Sequence, residues 1–360
     1  MLKKQYMSKR FKAIVVSECC VLLLWWYEAM TVSDAYRPPL FSIAPMMGWT
    51  DNHYRTLARL ISKHAWLYTE MLAAETIVYQ EENLDSFLAY SPDQHPIVLQ
   101  IGGRNLDNLA KATKLANAYG YDEINFNCGC PSPKVSGRGC FGAVHMLNPK
   151  FVGEAMSVIA ANTNASVTVK CRIGVDDHDS YDELYLKFTI NGGINSVVEA
   201  DAALRSGAHG VMLGRAAFYN PWHILGHVDT LIYGSPSSGI TRRQVLEKYQ
   251  VYGESVLGKY GKRGPNLRDI VRPLINLFHS EIGNGQWKRR TDAALLHCTT
   301  MKSFLDEVLP SIPDFVLDSS VVKEVTGRED LFADVRRLLP PPYQRESPKE
   351  LAGPVILDEE

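Results

Sequence analysis

Two cysteines stand one residue apart in EINFNCGCPSPKVSGRGCFGA, the stretch from Glu123 to Ala143. A metal site, a disulfide and a proton donor would each explain such a pair differently. Structural zinc sites prefer two C-x₂₋₄-C pairs, so a single C-x-C is a poor match to zinc. A disulfide between Cys128 and Cys130 would be strained by so short a loop. The pattern therefore favours free thiols.

Alternation along a strand and the predicted strand end assign the two thiols different positions. Asn125, Asn127 and Gly129 would share one face of a strand, and Cys128 would point to the other face. Cys130 falls just past the predicted strand end, where active-site loops lie. A free thiol, with a pKa of about 8.5, is mostly protonated at neutral pH and can donate a proton. Cys130 is therefore a candidate general acid, with a merely buried thiol as the alternative.

Two glycine turns near the end of the same region could bind a phosphate. INGGI (190–194) and MLGRAA (212–217) each follow an apolar run. Their backbone N–H groups could hold an anion, and Arg215 could add a bidentate charge-assisted contact. Gln100 and Lys170, each at a predicted strand end, add a two-way hydrogen-bonding amide and a cation. Either turn alone is explained as a tight turn, but the two together favour a phosphate site.

The elements that would position these groups recur along the chain from Phe41. Apolar or β-branched runs alternate with amphipathic stretches at intervals of about 25 to 45 residues, which predicts parallel strands with crossover helices. Polar and glycine residues end the strands, and no G-x-G-x-x-G follows the first one. This favours a TIM-type (β/α)₈ barrel over a doubly wound sheet, with a phosphate site after the last strands. The predicted strands are FSIAPM (41–46), WLYTEML (66–72), PIVLQIGG (96–103), EINFNCG (123–129), VTVKCRIG (167–174), KFTINGGI (187–194) and GVMLGRAA (210–217).

Composition divides the 360 residues into four parts. Residues 1–40 form an N-terminal extension with a possible targeting segment, 41–235 the barrel, 240–325 a small helical domain, and 340–360 a disordered tail. A net charge of -2 means that a polyanion must be met by local basic patches. Seven cysteines without a repeat favour free thiols in a reducing compartment, so we expect a cytoplasmic or organellar protein that is not secreted.

Six motifs in unbroken order resemble the tRNA-dihydrouridine synthases, and in particular the subgroup that modifies U20 and U20a in the D-loop. Each motif alone is weak, but the combination is specific. The resemblance implies an FMN-binding (β/α)₈ barrel followed by a helical RNA-binding domain. The motifs are APMMGWTD (44–51), QIGG (100–103), NFNCGCPSPKV (125–135), VKCRIG (169–174), NGGI (191–194) and GVMLGRAA (210–217).

The resemblance also implies a role for each matching residue. Cys130 matches the general acid of the family, and Asn127 beside it would contact the target nucleotide. The implied cofactor contacts are Pro45, Met46 and Met47 on the flavin ring, Gln100 and Lys170 at its edge, and Asn191, Gly192, Gly193, Gly214 and Arg215 at the FMN phosphate. NADPH would reduce FMN, flavin N5 would pass hydride to C6 of a flipped-out uridine, and Cys130 would protonate C5.

The partner implied by the resemblance is tRNA, bound by a monomer without a metal or a membrane. Basic runs at KYGKRGPNLRDIVR (259–272) and QWKRR (286–290) could meet its phosphates, and Lys288, Arg289 and Arg290 are the candidates. Trp287 among these cations suggests stacking on a base as well. A solvated helix face is the alternative explanation.

The chain departs from the family at one place. The family carries a sixth strand that ends in H-A-R or a similar motif, whereas this chain passes from DDHDSYDELY (176–185) directly to LKFTINGG (186–193). Roughly sixty residues are absent, in agreement with seven predicted strands where a closed barrel has eight. The deletion should leave strands five and seven with unpaired edges. Two other functions therefore stay open: a catalytically impaired RNA-binding remnant, and an FMN barrel of the dihydroorotate-dehydrogenase type.

Overall fold

The computed structural model describes the central part of the chain. Almost all of the predicted N-terminal extension and the whole predicted tail lie outside the described residues, as do Cys140 and the beginning of the KFTINGGI run. Within the described part, every helix is too short or too polar to cross a lipid bilayer. The described residues are 39–132, 135, 141–172, 174–175, 178–179, 189–261 and 264–321.

Seven strands form one sheet in which every pairing is parallel. Its order is β5-β4-β3-β2-β1-β9-β8, so the last strands of the chain lie beside the first. That order is typical of a barrel rather than of a doubly wound sheet. A separate two-stranded hairpin, which the sequence analysis missed, is formed by β6 and β7. The strands are β1 (Phe41–Ile43), β2 (Trp66–Ala73), β3 (Ile97–Gly102), β4 (Glu123–Cys128), β5 (Ser166–Cys171), β6 (Gly174–Val175), β7 (His178–Asp179), β8 (Thr189–Asn191) and β9 (Gly210–Leu213).

The curled sheet is open between β5 and β8. Each of these two strands pairs on one side only within the described residues. All residues of the inner strands β4 and β9 are buried, whereas most residues of β5 and β8 are only half-buried. Among the described residues, the sheet therefore lacks one strand at the position where the sequence analysis found residues missing.

Helices cover the outer face of the sheet and continue beyond it. Asp51 caps the N-terminus of the first helix, and its carboxylate accepts a hydrogen bond from the Tyr54 N–H (2.9 Å). The helices are α1 (Asn52–Ile61), α2 (Ala74–Tyr79), α3 (Asp85–Leu88), α4 (Leu106–Ala116), α5 (Pro149–Ala161), α6 (Val197–Arg205), α7 (Arg215–Tyr219), α8 (Pro221–Leu231), α9 (Arg242–Val256), α10 (Leu267–Val271), α11 (Asn284–Ala294), α12 (Met301–Val308) and α13 (Asp314–Leu317).

The helices after β9 share a hydrophobic core with the barrel. Phe41 of β1 and Leu213 of β9 belong to the same buried cluster as Trp222, Tyr249 and Trp287. Helical structure is thus observed over most of the described residues after 240, and one isolated bridge joins residues 241 and 320. Whether this region is a domain of its own, with bounds at 240–325, stays a prediction.

The prediction that Trp287 stacks on RNA is wrong, because its side chain is fully buried. Its ring lies edge-on to Phe278 (4.8 Å between centroids) and Phe304 (6.3 Å). Trp287, Thr291 and Ala294 occupy the buried face of α11 at helical spacing. Of the neighbouring cations, Arg289 lies on the opposite face of the helix, and Lys288 and Arg290 flank the buried face.

Candidate active site

The residues proposed to bind a cofactor or to react lie at one end of the sheet. Because all seven strands are parallel, their carboxyl ends share one edge. The structure thus brings the predicted residues of six strand ends to the same side. They are Pro45, Met46 and Met47 after β1, Gln100 on β3, Asn127 and Cys130 at the end of β4, Lys170 on β5, Asn191, Gly192 and Gly193 at the end of β8, and Gly214 and Arg215 after β9.

A row of hydrogen-bonded side chains crosses β3, β4 and β5 inside the sheet. The Gln100 Nε2 donates to Asn125 Oδ1 (2.7 Å), and Asn127 Nδ2 donates to Gln100 Oε1 (2.8 Å). Asn125 Nδ2 donates in turn to Thr168 Oγ1 (2.8 Å), which donates to Glu123 (2.6 Å). Unpaired buried amides would be costly, so these contacts hold the three strands in one register.

Asn127 connects this row of side chains to the turn that carries Cys130. Its Oδ1 accepts hydrogen bonds from the backbone N–H groups of Gly129 (3.2 Å) and Cys130 (3.1 Å). The side chain is buried and engages both ends of its amide. Its contact with a nucleotide stays a prediction, but the structure adds a second role. Asn127 positions the turn that carries Cys130. The sequence analysis missed this positioning role.

A second contact holds Cys130 from the other side. The Ala143 N–H donates a hydrogen bond to the Cys130 carbonyl (3.0 Å). Gly142, the residue before Ala143, has φ +78°. A Cβ atom on Gly142 would lie 2.7 Å from that carbonyl oxygen. Only glycine allows this close approach in this backbone conformation. A glycine after Phe141 is visible in the sequence, but its role depends on a contact with Cys130 that the sequence does not show.

Cys130 is half-buried and its thiol is free. Cys128 by contrast is 1% exposed and belongs to the core cluster on the outer side of the sheet. Burial raises the pKa of Cys128, and the neighbouring Cys171 adds to the effect. Cys128 therefore packs in the core, as its place on the strand predicted, and Cys130 lies past the strand end and is partly exposed.

Lys170 lies next to Asn127 in the register of β4 and β5. Burial lowers the pKa of its ammonium group; the Cys171 thiol opposes the shift, Arg172 adds to it, and the Cys130 thiol opposes it. Cys130 is thus close enough to interact electrostatically with Lys170. Within the described residues, no hydrogen bond or ion pair satisfies the ammonium group. A partly desolvated cation of this kind fits an anionic or hydrogen-bond-accepting ligand.

The turn after β8 leaves open space above its backbone. Gly192 and Gly193 have φ values of +124° and +73°, which favour glycine. A Cβ atom on either would meet nothing described within 4 Å, and the Asn195 side chain donates to the Gly193 carbonyl (2.9 Å). The exposed backbone and the fixed turn fit an oxyanion such as a phosphate.

The turns after β9 and β1 meet each other. A Cβ atom on Gly214 would lie 3.1 Å from Met46 Sδ, so this glycine gives room to the methionine. Met47 is 63% exposed, and the Arg215 side chain is exposed without a hydrogen bond to a described residue. Met46 and Met47 thus offer an apolar surface, and Arg215 a cation, at the same edge.

Two further residues at this edge escaped the sequence analysis. Glu70, near the end of β2, accepts a hydrogen bond from the Gly48 N–H, and burial raises the pKa of its carboxyl group. Trp49 stacks on Phe218 with 4.4 Å between ring centroids. Together they fix the loop that carries Met46 and Met47. Glu70 stood in the predicted strand WLYTEML and Trp49 in the motif APMMGWTD, but nothing in their spacing indicated these contacts.

Comparison with known proteins agrees with this arrangement. The family model described as Dihydrouridine synthase (Dus) matches residues 42–187 and 181–312. A tRNA-dihydrouridine(20/20a) synthase of Vibrio parahaemolyticus is 33% identical over 324 residues, which cover 76% of this chain and 96% of the relative. The enzymes of that name from Escherichia coli O6:H1 and Shewanella oneidensis are each 36% identical, over 73% and 69% of this chain and 91% and 87% of the relatives.

The alignments also locate the missing segment. Since 76% of 360 residues is about 274, the alignment of 324 positions leaves about 50 positions of the Vibrio relative without a counterpart here. The two pieces of the family match meet at residues 181–187, between β5 and β8. The deletion inferred from the sequence is therefore supported, and it is nearer fifty residues than sixty.

The close approach of Gly142 to Cys130 can be tested with a matched pair of variants. Gly142→Ala and Gly120→Ala both place a side chain at positive φ, at +78° and +68°, but a Cβ on Gly120 meets nothing within 4 Å. Both should be destabilised by about 1–2 kcal/mol through backbone strain, and Gly142→Ala should be destabilised more because of the clash. Urea denaturation measures the difference, and equal destabilisation would contradict the contact.

The desolvation of Lys170 predicts a pH dependence of stability. Its lowered pKa means that the unfolded chain holds more protons between that value and 10.5, so the free energy of unfolding should rise with pH there. Lys170→Met should lack this rise and should be the more stable chain at neutral pH. Denaturation at several pH values tests this, with Lys150→Met, an exposed lysine, as the control. A wild-type rise that persists in Lys170→Met would refute the assignment.

Proposed function

This chain belongs to the dihydrouridine synthase family, and we propose that it reduces the C5–C6 double bond of uridine in the D-loop of tRNA, at positions 20 and 20a, to give 5,6-dihydrouridine. The observation that carries the proposal is the Cys130 thiol, held by Asn127 at the carboxyl end of the sheet near Lys170, whose ammonium group has no partner among the described residues. The relatives that bear the name tRNA-dihydrouridine(20/20a) synthase support the substrate.

We propose FMN as the cofactor and NADPH as the reductant. The residues present fit FMN: the open Gly192–Gly193 turn and Arg215 suit its phosphate, and Met46 and Met47 suit the face of its ring. Reduced FMN supplies a hydride to C6 of the uracil when it is bound. Lys170 provides a positive charge for the polar edge of the ring, and Gln100 has one amide hydrogen left to donate.

The chain's own part in the chemistry is to deliver one proton. In this proposal Cys130 donates the proton of its Sγ to C5 of uracil while the hydride is added to C6, so that the pyrimidine gains two hydrogens. Asn127 and Gly142 hold the backbone on both sides of the thiol, which orients it before the substrate arrives. The target uridine has to leave the base stack to reach the thiol.

The outer face of α11 is proposed to bind tRNA. Arg289 and Arg290 are exposed and Lys288 is half-buried; Arg289 lies opposite Trp287, and the other two flank the buried face of the helix. Lysine and arginine side chains neutralise phosphates of the tRNA, and counterions are released when they bind. The buried Trp287 takes no part in this contact. The proposed reaction takes place in the compartment where the chain and its tRNA are both present, which is the cytoplasm or an organelle.

One observation favours a second candidate, an RNA-binding protein with impaired catalysis. No described strand pairs with the outer edge of β5, where Lys170 lies, or with that of β8, which leads to the glycine turn. Both halves of the proposed cofactor site thus border the gap. Purified chain that holds FMN, seen as a flavin absorption band, supports the synthase; chain that binds tRNA but never flavin supports the second candidate.

Replacing Cys130 tests the proton donor. Cys130→Ala should keep flavin binding and NADPH oxidation and should slow dihydrouridine formation about 10²-fold or more, because only proton transfer is removed. Cys128→Ala is the matched control, since this thiol points into the core on the opposite face of the same strand. Dihydrouridine in tRNA is measured by mass spectrometry. Unchanged turnover of Cys130→Ala would refute its role.

Charge reversal tests the tRNA surface. The triple variant Lys288→Glu, Arg289→Glu and Arg290→Glu should bind tRNA more weakly, and its salt slope should fall by about one for each phosphate that is no longer neutralised. A control with the same change in net charge reverses Lys111, Lys114 and Lys150, which are exposed or half-exposed on α4 and α5. Binding is measured by fluorescence anisotropy at several salt concentrations. Equal slopes for the two triple variants would exclude α11 as the tRNA-binding surface.

A further inference from the structure

Three side chains with metal-binding atoms meet where α11 leads into α12, outside the residues assigned to the candidate active site. His297 and Cys298 follow the end of α11, and Glu307 lies on α12. Each offers one ligand atom, and the three atoms lie within 4.8 Å of one another. They come from two segments, so the fold rather than a sequence motif brings them together.

The spacing of these atoms is close to that of a tetrahedral zinc site. Zinc bonds of about 2.0–2.2 Å to N and O and about 2.3 Å to S put S and O about 3.6 Å apart, and N and O about 3.3 Å apart. The Cys298 Sγ lies 3.5 Å from Glu307 Oε2, and His297 Nε2 lies 2.7 Å from the same oxygen. The sulfur–oxygen distance therefore already matches, the nitrogen–oxygen distance has to lengthen by about 0.6 Å, and the nitrogen and sulfur atoms lie within 4.8 Å of each other.

We propose that His297, Cys298 and Glu307 bind one zinc ion. A thiolate together with an imidazole and a carboxylate suits Zn²⁺, whereas Mg²⁺ and Ca²⁺ prefer oxygen ligands alone. The His297 side chain is 61% exposed and that of Glu307 is 40% exposed, so the ion can enter from solvent. Water completes the tetrahedron at the open position.

The bound ion would clamp the end of α11 to α12. In the metal-free chain the two segments are joined here by the His297–Glu307 ion pair, which is exposed and therefore weak. Zinc replaces that ion pair by three coordinate bonds and, because it binds only the folded arrangement, stabilises the packing of the two helices. The sequence analysis predicted no metal, since it considered only the C-x-C pair at Cys128 and Cys130.

The experiment uses the full chain after removal of metals with a chelator. Cobalt(II) is added as a spectroscopic probe, and zinc is then titrated against it. One cobalt per chain with a thiolate-to-metal charge-transfer band, displaced by one zinc, is the expected result. Cys298→Ser should abolish the band, and Glu307→Gln should weaken zinc binding at least about 100-fold, since removing even a group that only supports a ligand costs about 10- to 100-fold. Cys171→Ser, a thiol outside the cluster, should keep both properties.

Thermal unfolding gives a second measurement that does not depend on the absorption band of the cobalt complex. Zinc should raise the melting temperature of the wild type and of Cys171→Ser, and should leave those of Cys298→Ser and Glu307→Gln unchanged. All three positions are exposed or half-buried, so the variants should fold without the metal. Absence of stoichiometric binding, or a band and a thermal shift that survive Cys298→Ser, would overturn the proposal, because the metal would then be held by other thiols or not at all.

Discussion

The hydrogen bonds of Asn127 are the constraint on which the rest of the candidate site depends. One end of its amide is bound to Gln100 on the neighbouring strand, and the other end accepts from the backbone of Gly129 and Cys130. Because buried amides have to be paired, the register of β3 and β4 and the conformation of the turn are fixed together. A change in either one would move the thiol, and the chemistry proposed for Cys130 follows from that coupling.

The gap between β5 and β8 in the described sheet divides the candidate site without breaking this coupling. The residues proposed to donate the proton lie on β3, β4 and β5, and those proposed to bind the phosphate lie at the ends of β8 and β9. In a closed barrel the two halves would also meet through a sixth strand, whereas among the described strands they are joined through β1 and β2. Each unsatisfied buried backbone group at the two open edges costs about 1–3 kcal/mol, and a whole domain is stable by about 5–15 kcal/mol. Most residues of these two edge strands are only half-buried, so water can reach part of each edge.

The sequence was sufficient to predict the strands, because buried parallel strands appear as apolar runs with polar ends, and seven of them formed the observed sheet. The burial of Cys128 followed from alternation along its strand, and the partial exposure of Cys130 followed from its position past the strand end. The role of Gly142 and the meeting of His297 with Glu307 could not be predicted, since both depend on contacts between segments. Trp287 was predictable but misjudged: its spacing with Thr291 and Ala294 indicated the buried face of a helix, and the neighbouring cations obscured it.

The open edge does not affect Cys130 and Lys170 equally. Proton donation by a thiol depends chiefly on its position, and that position is fixed by hydrogen bonds on the closed side of the sheet, from Asn127 and Ala143. The effect of a charge depends on the exclusion of water, because an ion pair weakens as the surrounding dielectric constant rises. Lys170 lies on β5, whose outer edge pairs with no described strand. The electrostatic contribution proposed for it in binding a flavin should therefore depend on how that edge is covered, whereas the geometry around Cys130 does not.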